Sequence, residues 1–113
     1  MSCIFCQIVE RKIPSKTAYE SKDVLAFHDS HPQAPVHVLL VPKEHIAGMQ
    51  EIDSKNQSCL LTLFTAANQV ARELQIHEKG YRLVVNCKSD GGQTVDHLHY
   101  HLMGGRRLTW PPG

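Results

Sequence analysis

Long apolar runs are missing from these 113 residues, so nothing in them reads as a membrane span. There is no basic block, and no basic patch interleaved with aromatics, that would suit nucleic acid; the net charge is only +1. No secretory h-region follows Met1-Ser2-Cys3, which predicts cytoplasm. Internal repeats, low-complexity tracts and linkers are also lacking. What is left is one domain over 1–113, long enough to bury roughly two-thirds of its unfolded surface without disulfide staples. Four cysteines in that compartment argue against a disulfide framework. Cys59, in a helical pattern, and Cys87, closing a strand-like run, read as small buried side chains.

Histidine, by contrast, is abundant at eight residues. Between Gly91-Gly92 and Gly104-Gly105 the pattern has a period of two, the spacing of a strand. Val95, His97, His99, His101 and Met103 share one face, and Leu98, Tyr100 and Leu102 point the other way. The leucine side can pack on a core, but burial does not call for three imidazoles in a row. With an ordinary pKa of about 6.5, roughly a quarter of free imidazoles are protonated at pH 7. Such a row can supply a neutral nucleophile beside a cationic acid, and metal ligation is the other job it suits. The plain alternative is a solvated strand face with chance histidines.

The rest of the chain reads as follows. Ile4, Phe5, Ile8 and Val9 predict a short helix within Cys3–Glu10. Strands are expected over Thr17–Glu20, Val24–His28 and Val36–Val41, with the proline-rich loop Asp29–Pro35 between the last two. One long helix should run from Ser54 to about His77. Ser54 and Gln57 would form a capping box, Gly80 the C-cap, and Leu60 to Leu74 an apolar stripe. A strand over Tyr81–Asn86 and a polar loop over Lys88–Thr94 precede the histidine strand. This order predicts an α+β domain: a five-stranded antiparallel sheet with one short N-terminal and one long central helix on one face.

Cys3-x-x-Cys6 can mean a redox dithiol, zinc ligands or nothing. A thioredoxin-like site expects a preceding strand, and a four-cysteine knuckle needs a second pair. Neither is available, and zinc also accepts two thiolates with two imidazoles.

Taken together, these residues resemble the histidine-triad (HIT) family, and its Hint branch in particular. The family pattern His-x-His-x-His followed by two apolar residues is matched by His97, His99, His101, Leu102 and Met103. Ile13-Pro14, Ala26-Phe27-His28-Asp29, Pro32-Gln33-Ala34-Pro35, Val41-Pro42-Lys43 with His45, and Asp90-Gly91-Gly92-Gln93 also match. So do Gly80-Tyr81-Arg82 through Asn86, Gly104-Gly105-Arg106 and the ending Trp110-Pro111-Pro112-Gly113. The resemblance implies a HIT-like fold, a homodimer, and hydrolysis of purine nucleoside phosphoramidates to an amine and a nucleoside monophosphate. It implies His99 as nucleophile, His101 as an acid with a pKa near 7, and His37 in support of the phosphate. Asn86, Thr94 and the backbone of Gly92 and Gln93 would contact phosphate, and Asp29 the ribose. Ile4, Phe5, Ile8 and Phe27 would sandwich the purine, and Trp110 would reach the neighbouring subunit. For Cys3 and Cys6 it implies a structural zinc completed by His45 and His97, not required for the chemistry.

Two alternatives remain: a dinucleoside polyphosphate hydrolase of the Fhit type, or a nucleotide-binding interaction protein with incidental hydrolysis. Asp96 and Tyr100 depart from the family's usual residues and are expected to face away from the imidazoles. His31 reads as an exposed loop histidine.

Overall fold

The computed structural model describes residues 3–113. Its elements are α1 (Ile4–Val9), β1 (Thr17–Glu20), β2 (Val24–His28), β3 (Val36–Pro42), α2 (Ser58–Glu73), β4 (Tyr81–Val85) and β5 (Tyr100–Gly104), with a 3₁₀ turn over Met49–Glu51. The strands form one sheet in the order β1-β2-β3-β5-β4, every neighbouring pair antiparallel. The α+β architecture is the expected one. The placement of the helices is not: they cover opposite faces.

The reason lies in β2 and β3, which are apolar at nearly every position rather than at alternate ones. Val24, Ala26, Val38 and Leu40 face one way and pack with Leu63, Ala67 and Val70 of α2. Leu25, Phe27, Leu39 and Val41 face the other way and pack with Phe5 and Ile8 of α1. A strand buried on both faces needs a cover on both. Leu63 is wholly buried in the larger cluster, where truncation to alanine costs about 2–5 kcal/mol.

The long helix is shorter at both ends than the expected span from Ser54 to about His77. Ser54 to Gln57 form a turn, and the capping box belongs to the preceding residue. Asp53 Oδ1 accepts from the backbone N–H of Lys55 and Asn56, and Asn56 Oδ1 accepts from Asp53 N–H at 2.8 Å. At the other end Gln75, at φ 62°, takes the left-handed position. Ile76 N–H bonds to Ala71 C=O and Gln75 N–H to Arg72 C=O, closing a Schellman motif. Gly80 instead ends the turn that follows.

The histidine strand is also shorter than expected, its ladder starting at Tyr100. Before it, His97 N–H turns back to Val95 C=O and Leu98 N–H bonds to Ile46 C=O. The alternation survives all the same. Leu98 and Leu102 lie in the α2 core, with Tyr100 packed against them. Cys59 and Cys87 are half-buried rather than buried, and Asp96 is exposed.

Candidate active site

The extended segment before β5 carries His99 beneath α1, where its ring meets the Phe5 ring edge-on at 5.1 Å. His99 is almost completely buried. Its Nδ1 lies 2.7 Å from the carbonyl oxygen of His97. A carbonyl can only accept, so Nδ1 carries the proton and the lone pair of the neutral ring sits on Nε2.

His101 follows on the same face, its ring 5.0 Å from that of His99. In the β3–β5 ladder His37 stands opposite Met103 and Leu39 opposite His101, so His37 sits one diagonal step from His101. Hydrogen bonds fix the proton on each ring. Gln33 donates its backbone N–H to His37 Nδ1 at 3.0 Å. His37 must then hold its proton on Nε2, which points at His101 Nδ1, also at 3.0 Å. His101 is left with its own proton on Nε2.

Burial and the neighbouring His99 and His37 push His101 down to about 4, against a smaller opposing pull from Asp29. A second proton on His101 Nδ1 would face an N–H of His37, which gives the low value a structural cause. Burial likewise lowers His37. A value of about 4 leaves His101 neutral at pH 7, lower than the value near 7 expected of an acid. Asp29 Oδ2 lies 3.5 Å from His37 Nε2, a second acceptor for the same proton. Its Oδ1 accepts from His31 N–H.

His99 and His101 open into a cavity of about 580 Å³, within the range of small-ligand pockets. Ile4, Phe5 and Ile8 of α1, with Phe27 and Leu39 of the sheet, form apolar walls. Asp29 and Thr94 add polar groups. The other expected contacts lie outside the lining. His37 sits behind His101. Asn86 spends its Nδ2 on Gly91 C=O, next to Gly92 in the left-handed region at φ 81°. Gln93 is a brace: its Oε1 accepts from Lys88 N–H and its Nε2 donates to Ala47 and Val95 carbonyls. Trp110 is 80% exposed and away from the cavity of its own chain. Sequence reasoning assigned no site role to Ile13, Pro14, Ser15 and Lys16, which close one side, or to His28, Ser30, Leu39 and Val95. His31 is exposed as expected but also lines the cavity.

A second cluster lies behind His99. Cys3, the N-cap of α1, and Cys6 of its first turn meet His45 and His97, all four donor atoms within 4.8 Å of one another. Sγ–Nδ1 distances are 3.4 Å for Cys3–His97, 3.3 Å for Cys6–His45 and 3.6 Å for Cys6–His97. The two Nδ1 atoms are 3.2 Å apart. Tetrahedral zinc, with bonds of about 2.3 Å to sulfur and 2.0–2.1 Å to nitrogen, would separate S from N by about 3.5 Å and N from N by about 3.3 Å. The donor chemistry agrees: His97 Nε2 lies 2.8 Å from Pro42 C=O and must donate to it, so the lone pair is on Nδ1, facing the cluster. Cys3 Sγ also caps α1 by accepting Cys6 N–H. These residues fit a zinc ion.

Asp29, His37 and His101 form another group of the same compactness. There the Gln33 N–H occupies the lone pair of His37 Nδ1 and forces the proton onto Nε2, the atom a metal would need. That group is built to hold protons rather than an ion.

Comparison with known proteins agrees with this geometry. The family profile described as HIT domain matches residues 10–108. The fold superposes on a HIT family hydrolase from Legionella pneumophila with a TM-score of 0.96, at 45% identity over 98% of this chain and 99% of that one. A HIT family hydrolase from Clostridium thermocellum is 52% identical over 95% of this chain and 93% of that one, with a TM-score of 0.93. An uncharacterised HIT-like protein of Synechococcus elongatus is 47% identical over 97% of this chain and 96% of its own length. The histidine cluster thus sits in a HIT-family hydrolase fold, and the chain belongs to the HIT family.

Proposed function

We propose that the protein is a Hint-branch purine nucleoside phosphoramidase acting through a nucleotidyl-histidine. The observation that carries this reading is the bond from His99 Nδ1–H to the His97 carbonyl, which leaves Nε2 as a free lone pair in a site that opens on the cavity. In the first step His99 Nε2 forms a bond to the α-phosphorus, the P–N bond breaks, and the amine leaves with one added proton. The phosphorylated ring becomes cationic, and its Nδ1–H stays on the His97 carbonyl. Water then attacks phosphorus and gives a proton to His101, now neutral, as the new P–N bond breaks; the nucleoside monophosphate leaves and neutral His99 is restored.

The leaving amine's proton comes from His101. An arriving phosphoryl group brings negative charge, which favours the imidazolium. His37 Nε2–H can then turn from His101 toward Asp29 Oδ2, so that His101 gains a proton without an N–H clash. At pH 7, His101 therefore becomes charged as substrate binds. Thr94, on the cavity wall, is the loop residue that meets the phosphoryl oxygens; the expected Gly92 and Gln93 N–H donors are instead bonded to the Ser89 and Lys88 carbonyls. The phenyl and aliphatic walls take the purine, and Asp29 takes the ribose.

Cys3, Cys6, His45 and His97 would hold a structural zinc, which would tie α1 to the segment before His99. No step of the hydrolysis passes through it. A homodimer is supported by the unpaired edge of β4, with exposed Val85, and by Leu61 and Phe64 exposed on α2. In such a dimer Trp110, exposed on its own chain, is the residue we assign to the partner's site, as the family resemblance implies. No helix among the described residues is long and apolar enough to cross a membrane, and we place the enzyme in the cytoplasm.

The test compares turnover of an adenosine phosphoramidate with that of a dinucleoside polyphosphate. The phosphoramidate should be hydrolysed at least roughly 100-fold faster in kcat/KM, a gap of about 2.7 kcal/mol in transition-state stabilisation. Equal rates, or preference for the polyphosphate, would remove the branch assignment.

A further inference from the structure

The Gly104-Gly105-Arg106 motif carries no role in the chemistry above, yet it touches the loop that fixes the proton on His37. Arg106 Nη2 donates to the carbonyl oxygen of Gln33 at 2.9 Å. The N–H of that residue donates to His37 Nδ1, and His37 Nε2 points at His101 Nδ1. The tail is keyed to the same loop a second time. Gly105 sits at φ 92°, where a Cβ would come within 2.9 Å of Pro35 Cβ. Only a glycine lets the chain turn there and lie against the proline. Between them, Gly105 and Arg106 hold the loop from outside the cavity lining.

We propose that Arg106 is a positioning residue for hydrolysis: by clamping Gln33 it keeps the N–H of that residue on His37 and so sets the direction of the His37–His101 hydrogen bond. This rests on the relay reading of His37 and His101. Without the clamp, Gln33 is held chiefly by its side-chain contact to the His31 carbonyl, within the same loop. The N–H can then leave a buried ring nitrogen, and either nitrogen of His37 can carry the proton. In the reversed form Nδ1 holds the proton, and His37 no longer donates to His101. Asp29 does not depend on the clamp, because its N–H is bonded to His37 C=O just past the end of β2 and its Oδ1 accepts from His31 N–H. Loss of the clamp should therefore affect the chemical step and not nucleotide binding.

The test uses Arg106→Ala, Arg106→Lys and, as a control for charge, Arg107→Ala, each checked for native circular dichroism. Steady-state kinetics on an adenosine phosphoramidate are combined with ¹⁵N NMR of the histidine rings. Arg106→Ala should lower kcat on the order of tenfold, the scale of one lost hydrogen bond, with KM changed less than about twofold. Its His37 ring should shift from the Nε2–H form to a mixture, and Arg106→Lys should recover part of both effects. Arg107→Ala should behave as the unsubstituted protein. An unchanged kcat and His37 tautomer in Arg106→Ala overturn the proposal, as does an equal loss in Arg107→Ala. A KM that rises as much as kcat falls also overturns it. If the unsubstituted protein itself lacks the Nε2–H form of His37, the relay reading fails first, and the NMR separates that failure from failure of the clamp.

Discussion

The two histidine clusters lie side by side, separated by one turn of backbone at His97–His99, and are built from the same ring. They differ in what the far nitrogen touches. At His97 the far nitrogen donates to a carbonyl, Pro42 C=O, and the near one turns a lone pair toward two thiols and His45. At His37 the far nitrogen accepts from a backbone N–H, and the near one is obliged to carry a proton toward His101. A single hydrogen bond from the backbone therefore decides whether an imidazole serves as a ligand or as a proton carrier. His99 is placed by the first cluster and used by the second, since the carbonyl that fixes its tautomer belongs to His97.

The largest effect expected is on the proton-handling side. His99→Ala should reduce phosphoramidate turnover by at least about 10³-fold while the protein stays folded and still binds adenosine monophosphate. Calorimetric binding with no turnover is the expected pair of results; retained turnover of more than a few per cent would break the assignment of roles. His101→Ala should lower the rate by roughly 10²-fold or more for a poorly leaving amine and much less for a good one. Equal losses across a series of leaving groups would show that His101 is not the proton donor.

On the ligand side, freshly purified protein should carry one equivalent of zinc, and Cys3→Ser/Cys6→Ser none. Serine keeps the cap on α1, so this pair separates the thiolates from the helix start. At a thousandfold excess of free zinc over its Kd, the metal should add about 4 kcal/mol to unfolding, read from urea midpoints before and after chelation. His37→Ala should leave the zinc content unchanged. A drop there would erase the distinction between the clusters.

The smallest effect is on pH. His101 is held at about 4 in the fold, against about 6.5 when unfolded. Between those values the unfolded chain binds more protons than the folded one. The stability linked to His101 is complete above about pH 6.5 and is lost as pH falls through about 4. Burial of His37 acts in the same direction. In zinc-free protein, the fall in stability from pH 7 to 4.5 should be smaller for His101→Asn than for the unsubstituted chain. Parallel slopes would place the low pKa elsewhere.

Much of this was legible in residue patterns. The alternation of histidine with leucine put the imidazoles on one face and Leu98 and Leu102 on the other, and it held even where the ladder had not begun. The unbroken apolar runs of β2 and β3 held the information that both faces are covered, but helix order alone does not say which side α1 takes. The capping boxes Asp53-x-x-Asn56 and Ser54-x-x-Gln57 look equivalent in a sequence. The chain arriving from the 3₁₀ turn decides between them, because Asn56 also donates to Glu51 C=O. Gly80 was a stronger C-cap signal than Gln75, yet the helix had already ended. The relay was the least readable part: its proton placement depends on the backbone N–H of Gln33, and a backbone donor leaves no mark on residue type. The cavity wall at Ile13–Lys16 is irregular chain, and periodicity says nothing about where such a segment lies.

The central claim is that the lone pair of His99 Nε2 attacks phosphorus, and rapid acid-free quenching of His101→Asn during slow phosphoramidate turnover tests it most directly. Peptide mass spectrometry should find one nucleotidyl group on the ring of His99, formed and lost at the rate of turnover. Turnover at that same rate with the ring unmodified at every time point, or a nucleotidyl group on His97 or His101 instead, would contradict it.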